Sequence, residues 1–303
     1  MEIKYLKHHQ INKEKWNAAI AESQNGLVYA LSWFLDIVSP DWEALVYRDY
    51  EIVMPLTRRQ KFGIKYLYQP TFIQQLGIFS SEHTDEPTTA AFINEAQKYF
   101  RYIDIHLNYA NPKLPSKGFI LRNTQLIDIS KSYKELYKSY KKNHRKNLKK
   151  LKDSELIIDT KGTSATYAEL ALEMFNRKGV DEIKKKDIED LKKVMDLCVE
   201  KGLGFFYFGR LGDGACAAAF FLKWKDRVIV YTALNEKGRK VGAMFGIIDK
   251  YLQQEAGKKQ IFDFAGSNIQ GVKYRNLGFG AYNDIYYRIR KNNLPPILKW
   301  LKN

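Results

Sequence analysis

Residues 260–280, QIFDFAGSNIQGVKYRNLGFG, place an acid inside a short apolar strand and end that strand at a turn of small residues. The strand covers residues 261–264, the turn covers residues 265–267, and a helix-sized segment follows before the glycines at 278 and 280. A carboxylate contributes little to packing, but it is common where the end of a strand lines a site. The stretch therefore predicts a strand–turn–helix unit with a functional site at its turn.

The segments around this stretch alternate between short strands and helices in a regular order. Turn signals separate three consecutive antiparallel strands before it, at residues 203–210, 215–224 and 227–234. A helix, the strand above, a short helix and a closing strand complete the order, at residues 242–255, 261–264, 271–277 and 281–290. Three further helices come first, at residues 133–151, 166–177 and 187–201. This half therefore predicts a mixed sheet flanked by helices.

Residues 1–130 show a comparable but less regular mixture of elements. Helical spacing of apolar residues predicts helices at residues 12–23, 32–38 and 86–100. Strand-like runs lie at residues 42–47, 51–57, 65–68, 75–79, 102–107, 118–123 and 125–128.

The order of elements in the second half resembles the core of the GNAT superfamily of acyltransferases. More narrowly, the chain is similar to the Fem-type family, the peptidoglycan bridge aminoacyltransferase-like proteins, which carry two such domains in tandem. The resemblance implies an α+β chain of two GNAT-like domains, each a mixed, largely antiparallel sheet flanked by helices. It implies a domain on the acceptor side (1–130), a domain on the donor side (131–290) and a C-terminal helix within residues 291–303 that returns to the first domain.

The net charge of +16 lies entirely in the second half of the sequence. Residues 1–130 hold 14 Lys/Arg and 14 Asp/Glu, whereas residues 131–303 hold 36 and 20. Such an excess indicates a phosphate-bearing cofactor, an RNA or an anionic membrane surface as a partner, or serves solubility alone. Two cysteines in apolar contexts, together with the lack of a signal peptide or a membrane-spanning run, favour a cytoplasmic protein.

The segment at residues 235–243, NEKGRKVGA, joins a predicted strand to a predicted helix. In GNAT enzymes this junction cradles the pyrophosphate of acyl-CoA with the pattern R/Q-x-x-G-x-G/A, and Arg239 and Gly242 match its first four positions while Met244 replaces the last small residue. The resemblance implies cofactor contacts from Gly238, Arg239, Lys240, Val241, Gly242 and Ala243, and a backbone oxyanion donor near Thr232 or Leu234. The alternative is a basic surface turn that only caps a helix.

A second basic segment, SYKKNHRKNLKK at residues 139–150, lies on the first predicted helix of the second half. Lys142, Arg145 and Lys149 recur at helical spacing and form one stripe, which resembles the basic first helix of Fem-type second domains. The stripe predicts contacts with phosphates; the alternative is a solvated helix face.

The catalytic set implied by the resemblance lies in and after the opening stretch. A GNAT tyrosine in this helix often protonates the departing thiolate, a role that Tyr274 could fill, with core packing as its alternative. Fem-type enzymes instead place a lysine shortly before F-G, but Leu277 occupies that position here. The candidate catalytic and nearby substrate-binding residues are therefore Asp263, Ser267, Tyr274, Arg275 and Lys273.

A fourth segment, YLYQPTFIQQLG at residues 66–77, surrounds a proline with aromatic rings and amides. Tyr68, Gln69 and Gln75 are candidates for holding an acceptor substrate between apolar walls and neutral donors. The alternative is a loop that packs between strands.

Together these features predict an N-acyltransferase without a metal. It would move an acyl group from acyl-CoA, or an aminoacyl group from aminoacyl-tRNA, to an amine that could belong to a cell-wall precursor. The five histidines lack metal-binding spacing, and no P-loop, dinucleotide fingerprint or nucleophile elbow occurs. The alternative function is a non-catalytic nucleic-acid- or anion-binding protein on a degenerate acyltransferase fold.

Overall fold

The computed structural model describes residues 1–115, 117–180, 183–266 and 270–295, which divide into two compact units. Unit 1 combines Met1–Arg122 with the segment that starts at Ile285, and unit 2 covers Asn123–Asp284. The chain therefore leaves unit 1, completes unit 2 and returns to unit 1. The helix predicted within residues 291–303 lies largely outside the described residues, and its first two positions still belong to a strand.

The strands and helices agree with the predicted mixture of both kinds of element. The strands are β1 (Ile3–Leu6), β2 (Glu43–Tyr47), β3 (Ile52–Leu56), β4 (Arg58–Lys61), β5 (Ile64–Tyr68), β6 (Phe79–Ser80), β7 (Tyr102–His106), β8 (Phe119–Asp128), β9 (Ile157–Asp159), β10 (Gly204–Leu211), β11 (Gly214–Trp224), β12 (Arg227–Leu234), β13 (Ile261–Asp263) and β14 (Tyr282–Asn292). The helices are α1 (Lys13–Glu22), α2 (Ser32–Val38), α3 (Glu86–Tyr99), α4 (Tyr133–Ser139), α5 (Lys142–Lys152), α6 (Ser164–Lys178), α7 (Lys185–Glu200), α8 (Glu236–Val241), α9 (Ala243–Glu255) and α10 (Gln270–Leu277).

Unit 1 is built on two groups of paired strands. β1, β2, β3 and β6 form an antiparallel sheet in that order, while β5 pairs with β4 on one side and, in parallel, with β7 on the other. The final strand closes the unit, since Arg288–Asn292 of β14 pair with β7. Helix α3 begins at Asp85, whose side chain accepts a hydrogen bond from the Thr88 N–H, and it buries Phe92 and Ile93 in the core.

Unit 2 contains the mixed sheet predicted from the second half of the sequence. Its strand order is β8-β13-β12-β11-β10-β9, in which only β12 and β13 run parallel. The predicted order of three antiparallel strands, helix, strand, helix and strand is confirmed in β10 to β14. Aromatic side chains make up much of its core. Phe221 stacks on Tyr251 with 4.2 Å between the ring centroids, and Phe262 packs beside them.

Three local predictions differ from the structure. The helix predicted over residues 133–151 is two helices, α4 and α5, because the chain breaks at Tyr140, whose buried ring packs edge-on against Phe279. The junction at 235–243 is a short helix rather than a turn. The strand predicted at 75–79 shrinks to β6. The four-residue strands β1 and β4 were not predicted; β1 is short, and β4 consists of polar residues without an apolar pattern.

Candidate active site

The sheet of unit 2 opens between β12 and β13. The two strands pair in parallel only from Arg227–Ile261 to Ile229–Asp263, after which β12 continues to Leu234. β13 stops there, and Ala265 adopts a left-handed φ of 55° that turns the chain away. Within the described residues, the edge of β12 from Val230 to Leu234 thus has no partner in β13. The predicted Thr232 and Leu234 lie on this stretch, and the Leu234 carbonyl accepts a hydrogen bond from Arg177 at 3.4 Å. An opening of this kind suits an extended ligand that pairs along β12.

Asp263 holds the end of β13 in place. Its Oδ1 accepts hydrogen bonds from the Thr124 hydroxyl at 2.6 Å and the Ala265 N–H at 2.9 Å, and its Oδ2 accepts one from Arg227 at 2.7 Å. The Asp263 side chain is only 2% exposed and that of Arg227 12%. The predicted site residue is therefore a buried, fully engaged carboxylate. Ser267, the other predicted catalytic residue of this turn, lies outside the described residues.

In the segment predicted to cradle a pyrophosphate, several backbone groups form hydrogen bonds within the segment itself. Asn235 caps α8 by accepting a hydrogen bond from the Gly238 N–H, and the Gly242 N–H donates to the Gly238 carbonyl. Gly238 lies against β11, where an added Cβ would sit 2.1 Å from the Cys216 carbonyl oxygen. Gly242 has φ 80° and ψ 30°, so it ends α8 and starts α9 in a conformation that favours glycine. Val241 and Ala243 flank it, and the Ala243 side chain is buried in the core.

The two cations of this segment, Arg239 and Lys240, already face a carboxylate. Glu236 contacts Arg239 at 2.6 Å, Lys240 at 3.9 Å and Arg177 at 3.3 Å. The hydrogen bond from Arg239 and the surrounding positive charges lower the pKa of Glu236. An incoming pyrophosphate would therefore compete with an acid for these side chains.

A second group of cations, Lys178 and Arg275, lacks such a carboxylate. Arg275 hydrogen-bonds the Asn276 side chain at 3.0 and 3.1 Å, and burial lowers the pKa of its guanidinium to about 10. Burial, and then the charges of Arg275 and Arg177, lower the pKa of the Lys178 ammonium. Among the described residues neither Lys178 nor Arg275 has an ion-pair partner. Concentrated positive charge that the protein leaves uncompensated is a suitable site for an anion.

A pocket of about 380 Å³ lies beside this charge, between α5, the first turn of α9 and α10. It is lined by Asn143, His144, Lys146, Asn147, Lys150, Phe245, Gly271, Tyr274 and Arg275. The Tyr274 ring is not in the core, because the residue is 54% exposed and the Lys141 ammonium lies 5.1 Å from its ring centroid. The structure thus brings Tyr274 and Arg275 together at one pocket, while Lys273 on the same helix does not line it.

His144 fixes the two helices on either side of this pocket. Its Nε2 donates a hydrogen bond to the Arg275 carbonyl at 2.8 Å, and its ring packs edge-on against Phe245 and Phe279. Burial lowers the pKa of His144, so the ring is neutral near pH 7. An added Cβ at Gly278 would lie 1.8 Å from the imidazole, which explains the glycine before Phe279. His144 is therefore a positioning residue for Arg275.

The cations that line the pocket are not those of the predicted stripe. Lys146 and Lys150 face it, whereas Lys142, Arg145 and Lys149 lie on the adjacent face of α5. Lys149 instead borders a second cavity of about 650 Å³ around Asp249 and Tyr133. The sequence did not distinguish these faces because every position of α5 outside the buried seam is polar or basic.

The acceptor residues predicted in unit 1 are engaged within that unit. Gln69 Oε1 accepts a hydrogen bond from the His106 N–H and its amide donates to the Ile73 carbonyl, while Gln75 accepts from the Tyr109 N–H. The Tyr68 hydroxyl donates to the Val38 carbonyl at 3.1 Å. These contacts match the alternative reading of this segment as a packed loop, and acceptor binding by its side chains stays a prediction.

The described residues contain no group of three His, Cys, Asp or Glu side chains placed to hold a metal ion. In the same part of the chain, no helix has both the length and the apolar character to cross a membrane.

Known structures share this fold although the sequences have diverged widely. The crystal structure of FemX matches with a TM-score of 0.65 and 12% identity over 100% of both chains. The C-terminal domain of a protein assigned as a lysylphosphatidylglycerol synthetase from Agrobacterium fabrum matches with a TM-score of 0.56 and 9% identity, over 95% of this chain and 94% of that one. A GNAT-family acetyltransferase from Colwellia psychrerythraea matches with a TM-score of 0.53 and 10% identity, over 96% and 100%.

No protein-family model and no curated protein sequence matches this chain. The similarity is therefore one of fold, and it agrees with the resemblance seen in the order of elements. The chain has a GNAT-like, Fem-type fold.

Proposed function

We propose that this protein transfers an aminoacyl group from an RNA-linked ester, such as aminoacyl-tRNA, to an amine. The observation that carries the proposal is the opening between β12 and β13, which lies in the same unit as an uncompensated cationic pocket. An ester-linked acyl chain can lie along the stretch of β12 that does not pair with β13 while phosphates contact the cations. The known structures of similar fold, which include FemX and an acetyltransferase, support acyl transfer in general.

The chemistry is the aminolysis of an ester. The amine nitrogen attacks the carbonyl carbon, a C–N bond forms and the C–O bond to the ribose breaks. The nitrogen gives up one proton and the ribose oxygen takes one up, so no net proton is consumed. A backbone N–H between Val230 and Leu234 would stabilise the oxyanion. The exposed phenol of Tyr274 would supply the proton to the leaving oxygen.

The choice of RNA over coenzyme A rests on how the two basic regions are neutralised. Arg239 and Lys240 share Glu236. The Gly238 N–H donates to the Asn235 side chain, and the Gly242 N–H donates to the Gly238 carbonyl. That leaves a poor cradle for a pyrophosphate. In contrast, no cation of α5 has a carboxylate within 4 Å among the described residues, although Lys152 at its end interacts with Asp249 at longer range, and these cations extend over three turns. A row of this length suits the successive phosphates of an RNA.

Helix α7 provides a matched comparison for α5. Its lysines are also exposed, but Lys186 and Lys193 pair with Asp190, and Lys192 lies 4.0 Å from Glu189. A helix whose lysines serve solubility has such internal partners at i, i+3 or i, i+4. The lack of them on α5 favours a role in binding.

The test compares binding and transfer with the same proteins. Aminoacyl-tRNA, uncharged tRNA and acetyl-CoA would be titrated at several salt concentrations, and transfer of a labelled aminoacyl group to small amines would then be measured. Replacing Lys146 and Lys150 by Ala should weaken tRNA binding and reduce its salt slope by about 0.7–0.9 per lost phosphate contact. Replacing Lys192 and Lys193 by Ala should change neither. Tight binding of acetyl-CoA without binding of tRNA would overturn the donor assignment.

Two observations favour the alternative function, a binding protein without catalysis. Asp263 is fully engaged, and Leu277 occupies the position at which the resemblance to Fem-type enzymes implies a lysine. Binding of charged and uncharged tRNA with equal affinity, with no transfer to any amine, would support that alternative.

A further inference from the structure

The tip of the β4–β5 hairpin in unit 1 exposes a phenylalanine that no contact within the protein explains. Phe62 is 74% exposed, the largest exposed fraction among the large apolar side chains described. β4 and β5 pair up to Lys61 and Ile64, so Phe62 and Gly63 alone form the turn. Nothing lies within 4 Å of a Cβ built on Gly63. The tip is therefore open on its glycine side.

The backbone at this tip makes phenylalanine an unfavourable choice for folding. Phe62 has φ 50° and Gly63 has φ 75°, the pair of left-handed residues that a two-residue hairpin turn requires. Asn or Asp is favoured at the first of these two positions and Gly at the second, whereas a bulky residue at the first position is an outlier. The sequence thus has an exposed aromatic ring at a position where a polar residue would give a more stable turn. Such a choice points to a function of the ring outside the folded chain.

The surroundings of Phe62 are cationic. The hairpin sequence at residues 58–65, RRQKFGIK, holds four basic residues and no acid. Arg58 and Lys65 pair with Glu43 below the tip, whereas the Lys61 ammonium lies 5.3 Å from the Phe62 ring centroid. The guanidinium of Arg59 lies over the Tyr68 ring at 4.1 Å, toward the base of the hairpin. An apolar ring with an ammonium beside it, on a hairpin without acids, matches the boundary between lipid headgroups and acyl chains.

We infer that this hairpin tip docks onto an anionic phospholipid bilayer. Phe62 enters the interface, and Lys61 beside it contacts lipid phosphates. A nucleic acid fits the geometry less well, because a stacked base needs a wall or a sheet face around the aromatic ring, and the space at Gly63 is open. This inference does not depend on the proposed aminoacyl transfer.

Phe62→Asn is the decisive variant, because asparagine suits the turn while it removes the ring. Its thermal stability should equal or exceed that of the unchanged protein. Its binding to vesicles of phosphatidylglycerol and phosphatidylcholine, measured by co-sedimentation, should be roughly tenfold weaker or more. Ile157→Thr is the control, since Ile157 is 61% exposed on β9 and belongs to no such basic tip; its vesicle binding should not change.

A second variant reports on the position of the ring itself. Phe62→Trp should still bind vesicles. Its tryptophan fluorescence emission should shift to the blue when phosphatidylglycerol is present and should not shift with phosphatidylcholine alone. The inference is overturned if the unchanged protein does not bind anionic vesicles, or if Phe62→Asn binds them as tightly. It is equally overturned if the fluorescence of Phe62→Trp does not shift when the protein is bound to vesicles, or if Phe62→Asn loses binding to tRNA but not to vesicles.

Discussion

Replacing Asp263 by Ala should destabilise unit 2 strongly, because the carboxylate is the shared partner of three groups. The change removes acceptors for the Thr124 hydroxyl and the Ala265 N–H, and it leaves the Arg227 guanidinium, only 12% exposed, without its ion pair. Breaking a buried pair on one side costs about 3–5 kcal/mol. For a unit of this size each kcal/mol lowers Tm by about 2–4 °C. The expected fall in Tm is therefore on the order of 10 °C.

Chemical denaturation followed by circular dichroism would measure this change as a free energy of unfolding. Asp49→Ala is the control, since Asp49 pairs with Lys15 on the surface, with 74% and 50% of the two side chains exposed, and should cost less than about 1 kcal/mol. Arg227→Met combined with Asp263→Leu should recover part of the loss, because the pair is then removed as a whole. A loss below about 1 kcal/mol for Asp263→Ala would refute the structural role and return the residue to the catalytic candidates.

Three further changes test other parts of the structure. Burial lowers the pKa of His106 from 6.5 to about 4, so between these pH values the unfolded chain binds a proton that the folded protein does not. The free energy of unfolding should therefore fall by up to about 3 kcal/mol as pH decreases from 7 to 4. In denaturation measured as a function of pH, His106→Asn should flatten that profile. Gly242→Ala should cost about 1–2 kcal/mol from its left-handed φ, and Gly242→Asn less, as measured by thermal unfolding. Tyr274→Phe should leave stability within about 0.5 kcal/mol and slow aminoacyl transfer; an unchanged single-turnover rate would contradict its proposed role as a proton donor.

The order of elements in unit 2 could be predicted because its strands carry continuous apolar runs between clear turn signals. The buried stretch of β11 and the glycines at its turn are examples. The break at Tyr140 could not be predicted, since it depends on a ring contact with Phe279, far along the chain. β4 was missed for a different reason, because its four consecutive polar residues show no alternation of apolar and polar side chains.

Sequence reasoning named only some of the residues that line the pocket, because the rest depend on contacts between segments far apart in the chain. Tyr274 and Arg275 do line a single pocket with Lys146 and Lys150. Sequence spacing places residues on the faces of a helix, but it does not say which face meets a pocket. Nor could it show that Glu236 already neutralises Arg239 and Lys240, or that Lys178 approaches Arg275.

The contacts of the Asp263 carboxylate shape the candidate site. Its hydrogen bonds to Thr124 and Arg227 tie the end of β13 to β8 and to the start of β12. Its bond to the Ala265 N–H stabilises the left-handed turn by which the chain leaves the sheet. Because β13 ends there, β12 runs on to Leu234 without a partner in β13. The acid within an apolar strand thus marks the place where β12 and β13 separate, and the opening that results is what the proposed transfer reaction requires.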